Sequence, residues 1–115
     1  MVKMIAPMKR KPGMTRQEFS DFWRYHHAPL VQSVPEFARY LRKYVQNHVA
    51  SDVGPTGSAS EFEGVAELWF DSADDLAAAF AGERYLEIVR PDELKFLDFD
   101  ATIVCVTEEI PICGA

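Results

Sequence analysis

Apolar residues fall at Val2, Met4, Ala6 and Met8, with Ile5 on the other parity, and this period of two predicts a strand over residues 2–10 that closes in the turn sequence KPGMT. The period then lengthens. Phe19, Phe22, Trp23 and His26 follow at spacings of three, four and seven, which places them on one face of a helix. Thr15 stands three residues before Glu18, the capping-box arrangement that starts a helix, and Pro29 disfavours helical geometry at Ala28, so the helix is expected to finish near His27. Alternation returns over residues 39–49: Leu41, Val45 and Val49 point one way, while Tyr40, Arg42, Tyr44, Gln46 and His48 point the other. The run GVAELWF at 64–70 is apolar on both parities except for Glu67, which shares a face with Val65 and Trp69. Ser72 and Asp75 repeat the capping spacing ahead of a second helix, ADDLAAAFAGERYLEIV, loosened at Gly82; Pro91 starts a short turn through DELKFLDF. A last strand, ATIVCVT, is apolar on both faces.

The order βαββαβ is the ferredoxin-like arrangement, an α+β fold in which two helices cover one face of a four-stranded antiparallel sheet. The strands apolar on both faces then leave the second face bare, and a second copy packed sheet to sheet would cover it. The expected assembly is a homodimeric α+β barrel, each protomer keeping a pocket between its sheet and its first helix. Residues 50–63, ASDVGPTGSASEFE, carry no periodicity and read as a mobile loop that is a candidate lid.

Composition narrows the partners. The chain has 115 residues, enough for one domain spanning 1–115, and 12 basic against 18 acidic side chains give a net charge of −6, the wrong sign for nucleic acid. No apolar run approaches the ~20 residues that span a bilayer and no signal-peptide core is present, so a cytoplasmic protein with no membrane partner is expected. Cys105 and Cys113 lack a CxxC spacing and read as free thiols, Cys105 as a small buried hydrophobe. His26, His27 and His48 form no HxH, HxxxH or HExxH pattern, so no metal is expected. Nor is there a GxxxxGK or GxSxG motif, and no nucleotide, flavin or other cofactor is implied.

The runs FSDFWRYHHAPLV, RYLRKYVQNHV, FEGVAELWFDS and TIVCVTEE, in this order, resemble the EthD family of the dimeric α+β barrel superfamily. The resemblance implies a small cofactor-free protein acting in degradation or polyketide pathways, with cyclisation, dehydration, decarboxylation and isomerisation as the reaction types. It also implies that His27, the histidine of the H-A-P-L element, is the acid–base group and that Glu67, within AELWF, belongs to a family element. From the residues themselves, a histidine in the last turn of a helix would be held protonated by the carbonyls there; the alternative is a helix cap. Successive helical residues are turned ~100° apart, so only one of the two histidines can face a pocket; His26, in the aromatic stripe, is read mainly as a packing or orienting group, the alternative being that it is the catalytic histidine in place of His27. Glu67 between apolar neighbours is either functional or paired with a partner such as Arg42. Tyr44 and His48 are candidate donors to a substrate and Arg42 a candidate carboxylate anchor; Phe22, Trp23, Trp69, Phe80 and Tyr85 would supply an aromatic lining. The expected function is cofactor-independent acid–base chemistry on a small aromatic or polyketide-like metabolite. The competing expectation is a binding or carrier protein for a hydrophobic metabolite.

Overall fold

The computed structural model describes residues 1–114. Strand β1 (Val2–Met8) lies between β3 (Gly64–Phe70) and β4 (Cys105–Thr107), with β2 (Leu41–His48) on the far edge, so the sheet order is β2-β3-β1-β4 and every pairing is antiparallel. This is the ferredoxin-like α+β arrangement. One face of the sheet is covered by helices: α1 (Arg16–Phe22), a π turn (Trp23–His27), α2 (Ala28–Gln32), α3 (Pro35–Ala38), α4 (Ala73–Ala81), a second π turn (Tyr85–Val89) and α5 (Arg90–Phe96). Among the described residues no helix is long and apolar enough to cross a membrane.

The alternation along β1 and β3 decides which side chains meet the helices. Met4, Ala6 and Met8 face them from β1, and Ala66, Leu68 and Phe70 from β3. Phe19, Trp23, Val31, Phe37, Phe96 and Val89 close on this layer, each side chain contributing ~1.5–3 kcal/mol by leaving water. Gly64 is required by this packing, because a Cβ there would stand 2.6 Å from the Trp23 ring and 3.1 Å from the Asn47 carbonyl.

Thr15 and Glu18 form the expected capping box, with Glu18 N–H donating to Thr15 Oγ1 at 3.1 Å and Thr15 N–H to Glu18 Oε1 at 2.9 Å. The helix does not stop at His27, however. Ala28 N–H donates to the Trp23 carbonyl five residues back, and the coil runs on through Pro29 to Gln32. A proline ring in an α-helix collides with the carbonyl four residues earlier; one extra residue in the turn ahead of it makes room. The same device recurs at Pro91, where Arg90 N–H donates to the Tyr85 carbonyl. What reads as a short turn at Pro91 is therefore a helix, and the extended backbone at Gly82 (ψ 141°) separates α4 from the coil that follows.

Three further expectations, the parity of β2, the extent of the last strand and the burial of Cys105, are corrected. A register shift between Leu41 and Lys43 breaks the parity of β2: Leu41 packs on the core, whereas Val45 lies opposite Glu67 on the uncovered face. The last strand is confined to Cys105–Thr107 because residues 99–101 form a 3₁₀ turn, and Cys105 is exposed, not buried. Residues 50–63 close a small hairpin through the Val53–Ala59 bridge, with Gly57 at φ 85°, and Arg16 holds its base through Asp52 and through Glu63 at 2.7 Å.

Candidate functional site

A cavity of about 320 Å³ lies between the helix-covered face of the sheet and the helices. Met4, Leu68, Val31, Phe37, Phe80 and Phe96 make most of its wall apolar; Phe99, Thr102 and Val104 line it from the segment before β4. The polar groups in this wall are Tyr44, His27, Tyr85, Arg90, Glu93 and the Thr102 hydroxyl.

His27 reaches the cavity because of the π turn. The wider turn keeps it in line with Phe19, Trp23 and Val31, all buried, and swings His26 outward. His27 is only 5% exposed, whereas the His26 side chain is 53% exposed and stacks on Phe22 at 4.4 Å. The sequence stripe Phe19–Phe22–Trp23–His26 is thus replaced by one at four-residue intervals. His27 Nδ1 donates to Asp92 Oδ2 at 2.8 Å, which fixes the neutral tautomer and leaves Nε2 with no partner among the described residues. Asp92, on α5, is 2% exposed. Among the described residues its Oδ1 accepts no hydrogen bond, and it has Nδ1 of His26 at 3.2 Å and Nζ of Lys95 at 3.6 Å beside it. Because the helix runs past His27 there is no terminal carbonyl cluster to protonate it. Burial instead pushes its pKa below the usual histidine range, with Asp92 opposing that shift.

Across the wall, Tyr44 accepts hydrogen bonds from Trp23 Nε1 at 3.1 Å and from Gln46 Nε2 at 3.0 Å, leaving its own O–H to donate. Burial raises its pKa. Tyr85 Oη donates to the Glu93 carboxyl at 2.9 and 3.0 Å, and Arg90 Nε donates to Glu93 Oε1 at 3.2 Å. Burial pushes Glu93 up to about 7, the hydrogen bonds of Tyr85 and Arg90 only partly opposing it. The cavity therefore holds a neutral imidazole and a carboxyl poised near neutrality.

Several candidates lie elsewhere. Glu67 stands on the opposite face of the sheet, paired with Lys3 at 2.7 Å and Asn47 at 2.8 Å, so it cannot act with His27 inside one protomer, nor is it the partner of Arg42. Arg42, turned out beside the irregularity in β2, pairs with Asp71 at 2.9 Å. Trp69 is also on the uncovered face, between Lys3 and Lys43. His48 shares the helix-facing side of β2 but sits behind Trp23, where Nε2 donates to Gln46 Oε1 at 2.9 Å and Nδ1 accepts from Ser20. Phe22 packs outside the wall on His26 and Phe96. Among the described residues that line the wall, none comes from 50–63. Trp23, Tyr44, Phe80, Tyr85 and His27 are brought together; Arg90, Asp92 and Glu93 join them unforeseen. The signal for Asp92 was its spacing: Tyr85, Val89, Asp92 and Phe96 follow one buried helical stripe, and an acid at such a position needs a partner. Among the described residues no group of three His, Cys, Asp or Glu side chains could hold a metal ion.

An antiparallel ferredoxin-like sheet with a cavity of this kind under its helices defines a class of small α+β proteins. Within that class the chain belongs to the EthD domain family, whose model matches residues 11–100. It is 29% identical over 98 residues to the conidial pigment biosynthesis dehydratase EthD of Metarhizium robertsii, covering 77% of this chain and 68% of that protein. Among solved structures, an EthD family protein of Bacillus halodurans superposes with a TM-score of 0.73 at 25% identity, covering 96% of this chain and 99% of the other. A dimeric ferredoxin-like protein of unknown function from Bacteroides fragilis superposes with a TM-score of 0.64 at 14% identity, covering 94% and 95%.

Proposed function

We propose that the protein performs acid–base chemistry, independent of a cofactor, on a small apolar or aromatic metabolite of the polyketide type, with elimination of water as the leading reaction. The observation that carries this reading is His27: a neutral imidazole in the wall of an apolar cavity, its Nδ1 tied to Asp92 and its Nε2 lone pair unused. In a β-hydroxy carbonyl substrate, Nε2 would take the proton beside the carbonyl and the carbon–carbon double bond would form. The hydroxyl would leave as water with the Glu93 carboxyl proton, while the Tyr44 O–H polarises the carbonyl oxygen. His27 then holds one proton more and Glu93 one fewer, and exchange with solvent restores both. Asp92 is a positioning residue that sets the tautomer. The Metarhizium relative is named a dehydratase, which supports elimination over cyclisation, decarboxylation or isomerisation.

The uncovered sheet face supports a homodimer. Ile5, Val45, Val65 and Trp69 stand on it around the Lys3–Glu67 pair, and the Bacteroides neighbour is described as dimeric. Sedimentation giving a monomer would remove the dimer and leave the cavity reading intact.

The test of the reaction incubates wild type and His27→Gln with a metabolite extract of the source organism and compares the products by mass spectrometry. Loss of water from a compound in the wild-type sample alone supports the reading. Identical profiles, with a metabolite bound stoichiometrically to both proteins, would replace catalysis with carriage.

A further inference from the structure

Among the described residues, the cavity wall contains one lysine or arginine, Arg90. It opens α5 just after the second π turn and lines the cavity together with Phe99, Thr102 and Val104. Its guanidinium lies 5.4 Å from the Tyr85 ring centre and 4.8 Å from that of Phe99, aromatic faces that hold it in place. Its hydrogen bonds to Glu93 Oε1 at 3.2 Å and to Tyr85 Oη at 3.4 Å both use Nε. The two terminal nitrogens have no hydrogen-bond partner among the described residues. Such a pair is a planar fork that matches the two oxygens of a carboxylate, and Arg90, its side chain 37% exposed, presents it beside an apolar wall.

We propose that Arg90 is the anion-binding subsite of this cavity and that the ligand is an organic acid, a carboxylate on an apolar or aromatic body. The inference rests on the small-molecule reading above and adds the charge of the substrate. It also moves the carboxylate anchor from Arg42, which is engaged with Asp71 on the surface, to a residue in the cavity wall.

Glu93 regulates this subsite, because it shares the same guanidinium. The titratable groups facing Glu93 are Tyr85 and Arg90 on its own coil, the neighbouring Asp92, Tyr44 from β2, and His27 across the same cavity. When Glu93 is protonated, Arg90 presents an unmatched charge to the cavity. Ionised, Glu93 neutralises Arg90 and repels an incoming carboxylate. Affinity for an organic acid therefore falls as pH rises through about 7, the value to which burial pushes Glu93, and binding above that range takes up a proton.

The experiment is calorimetric titration of the full chain with naphthoate and with naphthamide, its neutral counterpart of nearly the same shape. At about pH 5.5 naphthoate is expected to bind roughly tenfold or more tightly than the amide, the gain typical of a charged hydrogen-bonded pair. Arg90→Gln should erase that preference while leaving naphthamide affinity within about twofold, which also shows that the cavity is still formed. Arg90→Lys, with the charge but without the fork, should keep part of it. At about pH 8.5 the wild-type preference should shrink, and in Glu93→Gln it should persist across both conditions. Equal binding of the two compounds by wild type, or a preference that survives Arg90→Gln, would overturn the anion subsite and leave the apolar cavity standing. No binding of either compound would overturn the ligand-cavity reading and this inference with it.

Discussion

The two faces of the sheet treat ionisable groups in opposite ways, although β1 and β3 build both from alternate residues. On the uncovered face Lys3 and Glu67 sit side by side, and each holds the other in its charged form: the lysine pKa is raised and the carboxylate pKa lowered, chiefly by their hydrogen bond. On the helix-covered face a histidine, a glutamate and two tyrosines are pushed toward neutrality. His27 titrates below its usual range, and Glu93, Tyr44 and Tyr85 above theirs, burial being the first cause in each case. A matched pair at the margin of water is an ion pair. A group walled in by Met, Leu and Phe with an incomplete partner set is one whose proton can move. The lone acid on the apolar strand Gly64–Phe70 was the conspicuous candidate for chemistry, and the comparison shows why it belongs to the other category.

This contrast can be broken most directly at His27. If the covered face is the catalytic one, His27→Gln should lower turnover by at least about 100-fold on whichever compound the extract reveals. A rate within a few-fold of wild type would leave the proton transfer to another group. Next in size is the packing beneath the cavity: Gly64→Ala drives a Cβ against the Trp23 ring, and denaturant unfolding should show a loss of about 1–3 kcal/mol. An unchanged midpoint would mean that Trp23 moves freely, and with it the wall of the cavity.

A smaller effect should appear in stability against pH. The folded pKa of Glu93 is raised from 4.5 to about 7, so its contribution is fully present at low pH and is lost as pH rises across that interval. His27 has the opposite sign. Its folded pKa is depressed, so its contribution is present above 6.5 and is lost as pH falls through the lowered value. Thermal melts of Glu93→Gln should therefore lack the decline between about 4.5 and 7 and keep the acid-side loss due to His27. A mutant profile parallel to wild type would place the titration elsewhere. The smallest expected effect lies on the other face: Glu67→Gln should leave turnover within about twofold, as for a substitution remote from the reacting groups. A loss comparable to that of His27→Gln would show that the uncovered face contributes to catalysis after all.

Much of the architecture was legible in the residue pattern. The strand at 64–70 and the capped start of the first helix were plain because a short continuous apolar run and the Thr15–Glu18 box are local signals. The prolines misled, since an X-Pro step argues against a helix only while the coil stays α-helical, and a π turn removes that condition at both Pro29 and Pro91. The irregularity at Arg42 misled for a related reason: one extra residue in a strand reverses every later parity, so Val45 exchanged faces and Tyr44, Gln46 and His48 came to face the helices.

By itself, then, the sequence determined the α+β class, the strand order along the chain, the identity of His27 as a candidate and the aromatic residues Trp23, Phe80 and Tyr85 beside it. The class and the strand order follow from periodicity and spacing, which are properties of short stretches; His27 was marked by the resemblance of its H-A-P-L element to the EthD family. Only the tertiary structure decided which histidine faces inward, that its partner is Asp92, 65 residues away, and that Glu93 and Arg90 share its cavity while Glu67 does not. Those outcomes depend on which face of each element is enclosed and on single-residue changes in helical and strand register. Burial sets the protonation of an ionisable side chain, and burial is fixed only when distant segments pack.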